Sequence, residues 1–218
     1  MRADVQKVFI AAPRDKQVLL FSATYGVAAR AVCRKFTKTP VEVFVDSDTN
    51  LTLVGVKQFY KILKDGEKNL ALASVLETLD YNQVVVFVRS QKRASALAEL
   101  LCKCGFPTAA MHGRMPQQVR IKRYENFRTF QSRILVSTDL VGRGIDISHV
   151  NVVVNYDMPL SSDAYLHRVG RAGRFGTKGI SVSFAEDGCE VLEDVKKRFS
   201  AESAIVEIQE GMGVLSMD

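Results

Sequence analysis

The chain has 218 residues, of which 47% are hydrophobic and 25% charged, with a formal net charge of +6. That balance suits a packed core in one or two domains and excludes a disordered chain. The basic excess is compatible with nucleic acid or another polyanion. The longest strongly apolar stretch, residues 84–88, is far too short to cross a bilayer, and Met1-Arg2-Ala3-Asp4 lacks the apolar segment of a signal peptide.

In chain order, β-branched runs predict strands over 17–21, 41–45, 55–62, 83–89, 108–111, 133–137, 150–155 and 179–184. Helical patterns fall between them, over 26–36, 67–79, 90–104, 116–130, 161–169 and 186–199. The runs Val84-Val85-Val86-Phe87-Val88 and 150–154 are almost continuously apolar, which suits strands covered on both faces, as in a parallel sheet. Ser90 has the chemistry of an N-cap, and Leu97, Leu100 and Leu101 follow at i, i+3, i+4 spacing. Gly105 reads as a helix stop and Pro116 as a first-turn residue. Phe9, Phe36, Phe44, Phe87, Phe127, Phe184 and Phe199 read as core. The alternation argues for an α/β fold.

Asp46-Ser47-Asp48-Thr49-Asn50 is polar throughout, so residues 46–53 read as a linker between 1–45 and 54–218. The second part is a comfortable domain. The first is about one β-α-β unit, too small to close a core, and is expected to be the tail of another domain. Cys33, Cys102, Cys104 and Cys189 form no C-x-x-C, and no His stands at zinc-finger spacing. Free thiols in a reducing compartment are expected, with no metal site.

Three segments carry chemistry. His167-Arg168-Val169-Gly170-Arg171-Ala172-Gly173-Arg174-Phe175-Gly176 gathers three arginines and three glycines. Helical geometry would align His167, Arg171 and Arg174, but each glycine costs a helix about 1 kcal/mol relative to Ala, so the helix should end within the run. Clustered guanidiniums suit a phosphate, which Arg binds bidentately. A solvated helix end and a Gly-x-x-Gly clamp on RNA backbone stay open as readings. Ser137-Thr138-Asp139-Leu140-Val141-Gly142-Arg143-Gly144-Ile145-Asp146 follows a strand, at the end where open α/β sheets bind ligands. Gly142 and Gly144 permit close approach to a phosphate, and Asp146 can accept from a ribose hydroxyl; an ordinary capped turn is the alternative. Met111-His112-Gly113-Arg114 leads into a helix carrying Arg120, Lys122 and Arg123, whose first N–H groups could receive a phosphate. A solvated basic face explains the same charges.

Taken together, these segments resemble the C-terminal half of DEAD-box RNA helicases. Ser22-Ala23-Thr24 resembles motif III, Val86-Phe87-Val88-Arg89-Ser90 motif IV, and Gln117-x-x-Arg120 motif IVa. Thr138-Asp139 with Arg143-Gly144-Ile145-Asp146 resembles motif V, and His167 to Arg174 motif VI. Cys33-Arg34-Lys35-Phe36, Asn155-Tyr156-Asp157-Met158-Pro159 and Arg171-Ala172-Gly173-Arg174-Phe175-Gly176-Thr177-Lys178-Gly179 are similar to the spliceosomal and mRNA-export subgroup with Asp-Glu-Cys-Asp. That subgroup usually has Asn where this chain has Asp139, and often Ala in place of Gly170.

The resemblance implies a RecA-like parallel sheet sandwiched by helices, preceded by a partial β-α-β from the first lobe. It implies two lobes closing on RNA and on ATP with Mg²⁺, the latter held mainly by the other lobe. Arg171 and Arg174 would be arginine fingers, with His167 and Arg168 beside the γ-phosphate. Gly144 and Asp146 would bind the nucleotide. Gly113, Arg114, Arg120, Thr138, Arg143 and Ser90 would contact or support RNA, and Ser22 and Thr24 would couple ATP state to strand separation. Splicing or mRNA-export proteins, and a nuclear location, follow from the subgroup likeness.

Neither G-x-x-x-x-G-K-[ST] nor Asp-Glu-x-Asp occurs in the 218 residues. The chain alone is therefore expected not to hydrolyse ATP. Half of a helicase is one reading; a non-catalytic RecA-like module binding RNA or protein is the other.

Overall fold

The computed structural model describes residues 2–22, 27–44, 53, 55–139, 149–173, 177–199 and 201–209. Two compact units divide the chain, Met1–Val45 and Asp46–Asp218. Apart from Leu53, the linker expected at 46–53 lies outside the described residues.

The first unit contains helices α1 (Arg2–Ala11) and α2 (Val27–Cys33). An edge-to-face contact joins Phe9 to Phe36, with centroids 5.0 Å apart. Arg34 Nε donates to Glu42 Oε1 at 3.0 Å. The β-α-β expected here is not what forms. Residues 17–21 and 41–44 belong to no sheet, and the α1 helix has no counterpart among the sequence-derived elements. A strand needs a neighbour for its backbone groups, and among the described residues neither segment is paired in a ladder. Their apolar side chains are consequently exposed: Phe21 by 91% and Val41 by 91%. Phe44, expected in the core, is 51% exposed and lies against the Arg30 guanidinium, 4.5 Å from its ring centroid.

The second unit is a seven-stranded, all-parallel sheet. Its strands are β1 (Val56–Ile62), β2 (Gln83–Phe87), β3 (Thr108–Met111), β4 (Ile134–Ser137), β5 (Val150–Asn155), β6 (Gly179–Ala185) and β7 (Ile205–Glu207). They run in the order β3-β4-β2-β5-β6-β1-β7. Among the described residues, five α-helices accompany them: α3 (Lys68–Thr78), α4 (Gln91–Lys103), α5 (Gln117–Arg128), α6 (Ser162–Val169) and α7 (Glu190–Arg198). The strand β7 was absent from the sequence-derived elements.

Alternation sends successive side chains to opposite faces. On one face Val84, Val86, Ile134, Val136, Val152, Val154, Ile180 and Val182 meet Leu72 and Leu76 of α3 and Leu97 and Leu101 of α4. On the other, Val85, Phe87, Leu135 and Val153 pack with Phe127 of α5. Further along that face Tyr60 and Ala185 pack with Tyr165 and Val169 of α6 and Leu192 and Val195 of α7. Two covered faces explain why the central strands read as unbroken apolar runs. The buried Gln58 is satisfied: its amide donates to Ser203 O at 2.7 Å and its carbonyl accepts from Tyr165 Oη at 2.9 Å.

Chain breaks at the helix ends follow local chemistry. Ser90 caps α4, its Oγ accepting from Arg93 N at 3.2 Å, and Ser161 caps α6 by accepting from Ala164 N at 3.2 Å. Gly105, with φ at +86°, turns the chain out of α4 in the left-handed region.

Candidate nucleotide and nucleic-acid site

Sheet register decides which candidate residues meet. Met111 of β3 and Phe87 of β2 both stand opposite Ser137 of β4, and Phe87 also stands opposite Asn155 of β5. The residues just beyond these ends therefore form one row across the carboxyl edge: His112-Gly113, Thr138-Asp139, Arg89-Ser90 and Tyr156-Asp157. Neighbouring strands are about 4.8 Å apart, so the row is compact. Such an edge is where open parallel sheets present ligand groups. Gly113, Thr138 and Ser90, from three distant places in sequence, are brought together here.

Exposure differs along the row. Gly113, Arg114, Arg89 and Ser90 are exposed. Thr138 is 8% exposed, and its Oγ1 is buried without a hydrogen-bond partner. The half-buried Arg120 has its Nε buried without a partner, and so does His112 Nδ1. His112 Nε2 lies 3.4 Å from Ser95 Oγ. Burial lowers the His112 pKa from its ordinary 6.5, and the charges of Arg123 and Arg114 push the same way. Pro116 is the N-cap of α5 and makes no side-chain cap bond, so no capping side chain takes that helix's first N–H groups.

The arginine-rich run behaves differently at each position. The α6 helix stops at Val169 with Gly170 as its C-cap, inside the run as the glycine content predicts. Arg171 folds back, its Nε donating to His167 O at 3.1 Å, which sets a cation at the negative end of the helix. His167 is half-buried. Arg168 is only 2% exposed. Its Nε and Nη2 pair bidentately with Asp139 Oδ1 and Oδ2 at 2.5 and 3.0 Å. Its Nη1 donates to Asp157 O at 2.7 Å and Asn155 Oδ1 at 3.3 Å, and the guanidinium lies 5.1 Å from the Phe87 ring centroid. With its donors spent inside the lobe, Arg168 holds strand ends together.

Sequence reasoning missed the group behind this row. Asp157 is 3% exposed. Its Oδ1 accepts from Lys68 Nζ at 3.3 Å, and its Oδ2 accepts from Arg89 N at 2.9 Å and faces Arg93 Nε at 3.3 Å. Lys68 also lies 3.3 Å from Asp65 Oδ1, and Arg93 Nη2 donates to Asp65 at 2.6 Å. Arg93 first, then Lys68, lowers the Asp65 pKa against its partial burial. The available signal was Asn155-Tyr156-Asp157, where an apolar strand turns abruptly polar.

Arg174, Arg143, Gly144, Asp146 and Thr24 lie outside the described residues. Ser22 is exposed in the first unit. No described group of His, Cys, Asp or Glu could hold a metal ion. No helix among the described residues is long and apolar enough to cross a membrane.

A wholly parallel sheet with helices on both faces and its polar row at the carboxyl edge defines the RecA-like α/β class. The chain belongs to the family described as the helicase conserved C-terminal domain, matched over residues 67–176, and the resemblance to the C-terminal half of DEAD-box helicases is borne out. Among relatives, it is 53% identical over 213 residues to the ATP-dependent RNA helicase sub2 of Aspergillus terreus, covering 97% of this chain and 48% of that protein. The SUB2 helicase of Ajellomyces capsulatus is 52% identical with the same coverage. The chain thus spans about half the length of the curated relatives it matches. Among solved structures, S. cerevisiae Dbp5 bound to RNA and ADP BeF3 superposes with a TM-score of 0.85 at 29% identity, covering 94% of this chain and 55% of that one. The E. coli DEAD-box protein SrmB, bound to regulator of ribonuclease activity A, gives 0.65 at 31% identity, covering 74% and 95%.

Proposed function

We propose that this chain serves as the C-terminal lobe of an ATP-dependent DEAD-box RNA helicase, acting in RNA unwinding or ribonucleoprotein remodelling during splicing or mRNA export in the nucleus. The observation that carries the reading is the row at the carboxyl edge, where sheet register assembles Ser90, Thr138 and Gly113 beside the basic start of α5. RNA runs along this row, with Gly113, Arg114, Arg120, Thr138, Arg143 and Ser90 contacting or supporting its phosphates. Contact through backbone gives little sequence preference and strong salt dependence.

ATP with Mg²⁺ is held mainly by a first lobe, because the phosphate loop and acidic metal-binding motif are not in these 218 residues. This lobe contributes Gly144 and Asp146 to the nucleotide and Arg171 and Arg174 to its terminal phosphate. His167 stands beside them, and Arg168 supports the fingers from within through Asp139 and Asp157. Ser22 and Thr24 couple nucleotide state to the RNA. Arginine fingers are worth about 10³–10⁵ in rate in GTPases. The bound RNA and ADP BeF3 of Dbp5 support this reading.

The test is fluorescence anisotropy of a labelled single-stranded oligouridylate titrated with the chain from about 50 to 200 mM salt. Binding should weaken steeply with salt, and Arg114→Ala should lower the log–log slope by about 0.7, one phosphate contact on a single strand. No binding at the lowest salt, with the protein folded by circular dichroism, would sink the reading.

A further inference from the structure

We propose that Asp157 is a positioning residue that locks the RNA-facing row to the arginine-bearing helix. The proposal rests on the reading above and deepens it. Asp157 reaches both sides at once. Its N–H donates to Phe87 O at 3.1 Å, tying the chain two residues past the end of β5 to the last residue of β2. Its carbonyl accepts from Arg168, three residues before Arg171. Its carboxylate accepts the Arg89 N–H at 2.9 Å, immediately before Ser90, the cap of α4. A single residue therefore fixes the root of the α6 arginines and the turn that presents Arg89 and Ser90.

The carboxylate is needed as a hydrogen-bond acceptor more than as a charge. Lys68 and Arg93 both keep Asp65 as a partner without it, at 3.3 and 2.6 Å. The Arg89 N–H has Asp157 Oδ2 as its acceptor, and a donor left unmade in a crowded turn is costly. The chemistry thus separates two substitutions. Asp157→Asn keeps an oxygen for the Arg89 N–H and removes the charge. Asp157→Ala removes both, while the backbone acceptor of Arg168 survives in each.

The experiment uses the 218-residue chain and two readouts, oligouridylate anisotropy and amide hydrogen exchange by NMR. Asp157→Ala should lose tenfold or more in RNA affinity, and the Arg89 amide should exchange at least tenfold faster while the Leu97 and Leu101 amides of α4 keep their protection. Asp157→Asn should stay within about threefold of the parent in affinity, with the Arg89 amide protected. A merely structural role would raise exchange at all three amides together, and that pattern overturns the proposal. So does a folded Asp157→Ala chain with parental RNA affinity. If Asp157→Ala fails to fold, Asp157→Asn decides alone: loss of affinity beyond tenfold with the Arg89 amide still protected overturns the positioning role. A parent chain that binds no RNA removes the helicase reading itself, and the proposal falls with it.

Discussion

Arg168 and Asp139 share one ion pair but stand in different surroundings. The arginine side chain is 3% exposed and the aspartate 50%. Removing the arginine strands two buried acceptors, Asn155 Oδ1 and Asp157 O, whereas the aspartate left behind turns to water. Arg168→Met should therefore cost about 1–3 kcal/mol for each stranded acceptor. Asp139→Asn keeps an oxygen toward the guanidinium but takes the counter-charge from a cation that is 3% exposed, and should cost less, about 1.5–3 kcal/mol, the range of a hydrogen bond to a charged group. Urea unfolding midpoints measure both; equal losses would mean that the buried acceptors contribute nothing.

At the scale of elements, the chain just beyond α6 is tightly constrained at Gly173. Gly173 has φ at +68°, and a Cβ added there would lie 2.5 Å from Val56 Cγ2. Gly173→Ala should cost about 1–3 kcal/mol in backbone strain alone, with displacement of the β1 edge added; thermal unfolding of the variant reads it. Elements that satisfy themselves locally were legible in the sequence. Ser90, Gly105 and Ser161 mark helix ends through chemistry within a few residues, whereas β5, whose span matches residue for residue, was legible through its nearly continuous apolar run. The first unit was not legible, because 17–21 and 41–45 carry strand-forming side chains but strand formation depends on a partner that local sequence does not specify. For the site, the glycines revealed that α6 ends within its arginines, and the strand-end motifs marked residues that sheet register gathers along the carboxyl edge. What stayed hidden was the Asp65–Lys68–Arg93–Asp157 group. Its members come from three places in the chain, Asp65 and Lys68 being only three residues apart, and the strand order β2-β5-β6-β1 makes those places neighbours.

For the whole molecule, pH sets stability through the groups whose pKa differs between folded and unfolded chains. Burial first, then Arg123 and Arg114, lowers the His112 pKa below 6.5. Between the lowered value and 6.5 the unfolded chain holds a proton that the folded chain does not, so stability rises with pH across that window and falls on acidification. The melting temperature should drop between about pH 7.5 and pH 5.5, and His112→Gln should blunt the drop. Asp65 has the same sign at lower pH, its contribution present above 3.8 and lost as pH falls through its lowered pKa.

The parallel sheet also sets an order of events at birth. Among the described residues the β1 strand pairs with β6 and β7, and both lie more than a hundred residues later. At ribosomal speeds of about 5–20 residues per second, β1 emerges on the order of 10 s before its first neighbour is made. During that interval the nascent chain carries a strand with two bare edges, and this is when mispairing and chaperone capture compete with native closure.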